Sequence, residues 1–72
     1  MNFNYIISGE NGTIFGSNKD MEWIYKERDS VLKTLYPNYV LVGMVDDDPN
    51  HLLYEFNGQK VYFEVREDKE NG

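Results

Sequence analysis

Polar and apolar positions alternate from the first residues of the chain. Phe3, Tyr5 and Ile7 are interleaved with Asn2, Asn4 and Ser8, the period-two signature of a strand with one buried face. Asn11-Gly12 follows, a dipeptide suited to the left-handed backbone of a type I′ hairpin turn. A two-residue loop at that dipeptide sets Gly9 opposite Ile14 and puts Ile14 on the face of Phe3, Tyr5 and Ile7. The pattern therefore predicts a hairpin over about 3–9 and 13–16. The period then changes. Ser17 to Asp20 has the spacing of a capping box, and Met21, Ile24, Tyr25, Val31, Leu32, Leu35 and Tyr36 fall on one stripe at 100° per residue. A helix over about 19–36 is expected, stopped by Pro37.

Tyr39 to Val45 is apolar without alternation, as expected of a central strand buried on both faces. Asp48-Pro49-Asn50 predicts a turn, with Pro at its second position. His51–Phe56 and Lys60–Val65 flank Asn57-Gly58, a second type I′ signal. With Phe56 opposite Gln59, one face gathers Leu52, Tyr54, Phe56, Val61, Phe63 and Val65. The other pairs Glu55 with Lys60, Leu53 with Tyr62 and His51 with Glu64, so opposite charges meet where water is expected. The element order ββαβββ predicts an α+β fold, one antiparallel sheet with the helix across a single face. Strand order stays open, because the helix crossover lets the first hairpin dock on either edge of the later strands. One domain over 1–66 is expected, followed by a flexible acidic tail over 67–72.

Composition narrows the function. Seventy-two residues with no cysteine allow neither a disulfide nor a Cys-based metal site. A chain of this length buries only about 60% of its unfolded surface and is marginally stable. No basic, apolar leader precedes the first strand and no apolar run approaches a bilayer span, so a soluble, cytoplasmic protein is expected. Asn11-Gly12-Thr13 fits a glycosylation sequon and is read as a turn. Thirteen acids against seven bases give a formal charge of −6. That charge repels nucleic acid and anionic membrane and favours a basic protein partner.

Catalytic chemistry has little to stand on. His51 is the only histidine. It could act as a base across from Glu64, but no nucleophile or oxyanion donor is placed near it. Gly9, Gly12 and Gly16 lack the Gly-Lys-Ser/Thr of a phosphate loop and read as turn glycines. No cofactor is implied. Asp46, Asp47 and Asp48 should lie at the same end of the sheet as Glu64, Glu67, Asp68 and Glu70. This group reads as a solvated turn and tail, as an acidic patch for a basic protein surface, or as a calcium site, although the spacing is not that of an EF-hand loop. Trp23 projects away from the helix stripe, either covering the 9–18 hairpin or standing exposed as a binding anchor. Arg28 falls within the stripe, where its stem can pack while its head pairs with a carboxylate. Tyr62 and Leu53, with Ile6 and Phe15, would give the helix-free sheet face an apolar patch for a partner or a second copy.

In size, acidity and lack of cysteine the whole chain resembles small phage-encoded inhibitors of the anti-CRISPR and DNA-mimic classes. The resemblance is one of class, without a shared motif. It implies a non-enzymatic inhibitor whose carboxylates stand in for phosphates on a nuclease or other nucleic-acid-binding protein. The alternative from the residues is an assembly protein that forms a homo-oligomer through the helix-free sheet face.

Overall fold

The computed structural model describes residues 2–68. Its elements are β1 (Asn2–Gly9), β2 (Gly12–Asn18), α1 (Met21–Leu35), β3 (Val40–Val45), β4 (Asp48–Phe56) and β5 (Gln59–Asp68). The five strands form one antiparallel sheet in the order β2-β1-β5-β4-β3. This is the α+β fold expected, and it settles the strand order: β1 docks on β5, placing the last strand at the centre and β3 at an edge. α1 crosses one face, its backbone running closest to β2 and β1.

The β4–β5 hairpin has the expected register. Phe56 faces Gln59, Glu55 faces Lys60, Leu53 faces Tyr62 and His51 faces Glu64. Asn57 and Gly58 carry φ of 51° and 77°, the left-handed pair a type I′ turn needs. Val61, Phe63 and Val65 of β5 meet Tyr5 and Ile7 of β1, Tyr54 of β4 and Ile24, Leu32 and Tyr36 of the helix region to form the buried core. Tyr36 and Phe56 meet edge to face with centroids 5.4 Å apart, as do Tyr39 and Tyr54. Burial raises the hydroxyl pKa of Tyr54, and raises that of Tyr5 with a further push from Glu27.

Elsewhere tertiary contacts moved what local pattern suggested. The first turn is Glu10-Asn11, with Gly9 facing Gly12 and Ile7 facing Ile14. The expected register slides by two positions, which preserves the buried face of Ile14. The helix end holds the turn there: Asn11 Nδ2 donates to the Leu35 carbonyl at 2.7 Å, and the buried Tyr36 hydroxyl donates to the Gly12 carbonyl at 2.7 Å. β2 runs on to Asn18 and takes Ser17 into the ladder opposite Asn4. The helix cap is therefore Asp20, whose side chain accepts from the Glu22 N–H at 3.0 Å, and no capping box forms at Ser17.

Gly9 and Gly16 are not turn glycines. A Cβ on Gly9 would lie 2.7 Å from the Tyr36 hydroxyl, and one on Gly16 would lie 2.5 Å from the Tyr5 ring. Both glycines admit an aromatic side chain to the core. Only Gly12, at φ 137°, serves backbone geometry in that hairpin.

The β3–β4 connection is Asp46-Asp47, both left-handed at φ 54° and 56°, with Val45 facing Asp48. Aspartate tolerates that region better than most residues. Asp48-Pro49-Asn50 is not the turn but the start of β4. Asp48 Oδ1 accepts from the Asn50 N–H at 2.9 Å, and residues 49–51 are extra on β4 relative to β3, between the Val45–Asp48 and Met44–Leu52 pairs. Pro49, which has no N–H, fits that interruption of the ladder. β5 continues through Glu67 and Asp68, paired with Phe3 and Asn2. Glu67 and Asp68 therefore belong to the sheet and not to the tail expected over 67–72, because the start of β1 offers them ladder partners; residues 69–72, Glu70 among them, lie outside those described. Among the described residues no helix is long and apolar enough to cross a membrane.

Candidate functional site

Five polypeptide ends converge on one end of the sheet: the start of β1, the end of β2, the start of α1, the β3–β4 turn and the end of β5. The register fixes this, since Asn2 faces Asp68, Phe3 faces both Glu67 and Asn18, and His51 faces Glu64. Asp46, Asp47, Asp48, Glu64, Glu67 and Asp68 are thereby gathered as the sequence suggested. Asp20 and Glu22 join them through the helix start, so eight of the thirteen acids in the chain share this end. Strands lie about 4.8 Å apart, so the acids form a rim on the order of 19 Å wide. Among the described residues, Lys19 and Arg66 are the cations at this end.

The acids divide by what they touch. Arg66 reaches Asp48 Oδ2 at 3.1 Å through one nitrogen and closes on Glu64 through the other. The Asn50 N–H first, and Arg66 second, hold the Asp48 carboxyl below its ordinary value of 3.8. His51 Nδ1 stands 3.8 Å from Glu64 Oε2, with its ring 5.9 Å from that of Tyr62. Asp48 and Glu64 are thus committed within the molecule. Asp46 and Asp47 sit exposed on the turn, Glu67 is exposed at the end of β5, and Asp68 is half-buried opposite Asn2. Asp20 and Glu22 serve the helix N-terminus, where the macrodipole favours negative charge.

The depressed Asp48 pKa has a testable sign. A carboxyl whose folded-state value lies below its unfolded value adds stability that is complete above the unfolded value and is lost as pH falls through the folded one. Melting temperature is therefore expected to fall below pH 3.8 with a component that Asp48→Asn removes. The asparagine keeps the acceptor for Asn50 and loses only the charge facing Arg66. Circular-dichroism melts of both proteins from about pH 5 down to about pH 2 measure it; identical pH profiles would contradict the pairing.

Trp23 lies in the first turns of α1, at the acidic end, and is 42% exposed. At 100° per residue it falls on the helix surface away from Leu32 and outside the buried core. Arg28 behaves as its stripe position suggested: the guanidinium packs 5.4 Å from the Phe63 ring centre and 5.1 Å from that of Tyr25, and its head pairs with Asp29 at 3.1 Å. Tyr62 belongs elsewhere. It is half-buried in mid-sheet on the helix-free face, facing Leu53 and Ser8, four residues from Arg66 along β5. Ile6 and Phe15 pair on the same face, with Phe15 strongly exposed.

Among the described residues no group of three or more His, Cys, Asp or Glu side chains is arranged to hold a metal ion. Of the three consecutive aspartates, two sit on a left-handed turn and one is tied to Arg66. Two features escaped the sequence reading. Asp20 and Glu22 were legible as helix-start acids, but their neighbours follow only from the strand order. Val40 to Met44 read as buried and stands exposed on the β3 edge. Comparison with protein-family models, with curated proteins and with solved structures returns no match.

Proposed function

We propose that this chain is a non-enzymatic protein-binding domain that inhibits a nucleic-acid-handling protein by laying its acidic end against a basic surface of that protein. The supporting observation is that the exposed carboxylates Asp46, Asp47 and Glu67 and the exposed Trp23 lie at the same end of the sheet, the aspartates at its β3 edge and Trp23 on the helix over β2 and β1. An aromatic anchor with carboxylates at the same end of the domain has the composition of an interface, with the acids steering encounter and the indole supplying apolar contact. The class resemblance to anti-CRISPR and DNA-mimic inhibitors agrees with this reading. The carboxylates would stand where phosphates normally bind, and duplex DNA should compete for the same surface.

Asp46 and Asp47 allow a clean test. Asn-Gly is the favoured pair for a type I′ turn, so the double variant Asp46→Asn with Asp47→Gly removes two charges from a backbone that the new residues suit at least as well. Its expected melting temperature equals or exceeds that of the wild type. Immobilised wild-type chain is expected to capture a basic protein from host extract, release it in high salt and lose it to added duplex DNA. The double variant and Trp23→Ala are each expected to weaken capture at least tenfold with the fold intact. Capture unaffected by both changes, or indifferent to salt, would defeat the proposal.

A further inference from the structure

The longest uncharged stretch of the chain forms an unprotected sheet edge. β3 reads Val-Leu-Val-Gly-Met-Val and pairs on one side only, with β4. Val40, Leu41, Val42 and Met44 are each more than half exposed. They occupy both faces: Val40 shares the helix-free face with Glu55, whereas Leu41 and Met44 share the helix side with Tyr54 and Leu52. Exposed edges are ordinarily guarded by lysine, proline, short length or a covering segment. Among the described residues β3 carries no lysine, no proline and no covering segment. Its ladder with β4 is irregular at two places, the extra residue at Val42 between the Leu41 and Gly43 pairs and the interruption between Met44 and Val45, neither of which adds charge to the edge. The opposite edge, β2, exposes a single large apolar side chain, Phe15.

We infer that β3 pairs antiparallel with β3 of a second copy, joining two five-stranded sheets into one of ten strands about a two-fold axis near Val42. Charge selects both the occupant and the direction. Nothing from Pro37 to Val45 is charged, so the edge gives a charged foreign strand no counter-charge; the best match is an uncharged apolar strand with its own free edge, which every copy carries. Such a patch is self-complementary under two-fold symmetry. Parallel pairing would set the Asp46-Asp47 turns of the two copies side by side, about 5 Å apart. Antiparallel pairing sends them to opposite ends of the seam, about 27 Å apart at 3.4 Å per residue, well beyond the screening length of about 8 Å in physiological salt.

The two helices then lie on the same face of the joined sheet, and both acidic ends stay free. The pairing is independent of the proposed inhibitory contact. It also supplies what a 72-residue cysteine-free domain lacks, since oligomerisation is one of the few routes by which so small a core gains stability.

Sedimentation equilibrium of the full chain tests the inference, over about 1 µM to about 1 mM, the range in which a modest interface associates. The expected result is a shift from the mass of one chain to that of two. Val42→Lys, which brings two ammonium groups together near the axis, should raise the dissociation constant about tenfold or more. Phe15→Lys, on the far edge, should leave it unchanged. Hydrogen exchange of the wild type provides a readout that survives any folding defect in the lysine variant: the amides of residues 41–44 should gain protection as concentration rises. A wild type that stays one chain throughout, a dimer abolished by Phe15→Lys but not by Val42→Lys, or edge amides indifferent to concentration would each overturn it.

Discussion

Phe63→Ala is expected to leave the chain unfolded at 37 °C. Phe63 is fully buried at the middle of β5, the central strand, and faces Ile7 on one side and Leu52 on the other. Its ring centre lies 6.3 Å from that of Tyr5, and the Arg28 guanidinium rests on it. Truncating a buried phenylalanine to alanine removes about 3–5 kcal/mol, the sum of lost transfer energy and the cavity left behind. A single core in a domain this small rarely provides more than about 3–5 kcal/mol altogether. The loss therefore equals the whole margin, and Arg28 loses the apolar surface that carries its stem. Urea denaturation followed by circular dichroism should show no native baseline for Phe63→Ala. Phe63→Leu, which keeps most of the volume, should retain a shortened one. Phe15→Ala, an exposed position on β2, should match the wild type. A cooperative Phe63→Ala transition near the wild-type midpoint would show that the core is not centred on β5.

Gly16→Val sets two effects of opposite sign against each other. A β-branched residue in place of glycine favours a strand by up to about 1 kcal/mol. Here the new Cβ would fall 2.5 Å from the ring of Tyr5, the residue facing Gly16 across the β1–β2 ladder. Tyr5 is itself in the core and cannot leave without opening a hole beside Phe63. Overpacking of this kind costs about 1–3 kcal/mol, so destabilisation wins. A double-mutant cycle identifies the cause. In a Tyr5→Leu background the ring is gone, and Gly16→Val should be neutral or stabilising. Equal costs in both backgrounds would mean that the ring does not occupy the space above Gly16.

These two changes locate what was legible in the sequence. The alternation around Asn57-Gly58 contains its own register, because a one-residue slip would turn Val61, Phe63 and Val65 to water, and the structure keeps that register residue for residue. The helix stripe was readable apart from Tyr25, which stands exposed, down to the placement of Arg28, whose stem packs while its head finds Asp29. The gathering of acids followed from the same hairpin, and the structure widened it to Asp20 and Glu22. The role of Gly16 was not readable, since a glycine that makes room for a ring has the same local signature as one that makes a turn.

The sequence by itself determined the inward faces of β1, β4 and β5, the order of elements and the sign of the surface, because period-two alternation and the sum of charges are local properties of the chain. The tertiary structure decided the rest. Docking of β1 on β5 made the last strand central and left β3 at the edge, reversing what its uninterrupted apolar run suggested. The helix C-terminus drew the first turn to Glu10-Asn11 through the Leu35 and Gly12 carbonyls. The physical reason is common to both. An apolar segment is satisfied by any apolar neighbour, so hydrophobicity says that Val40 to Met44 should be covered, and only the arrangement of the other strands says whether this chain covers it.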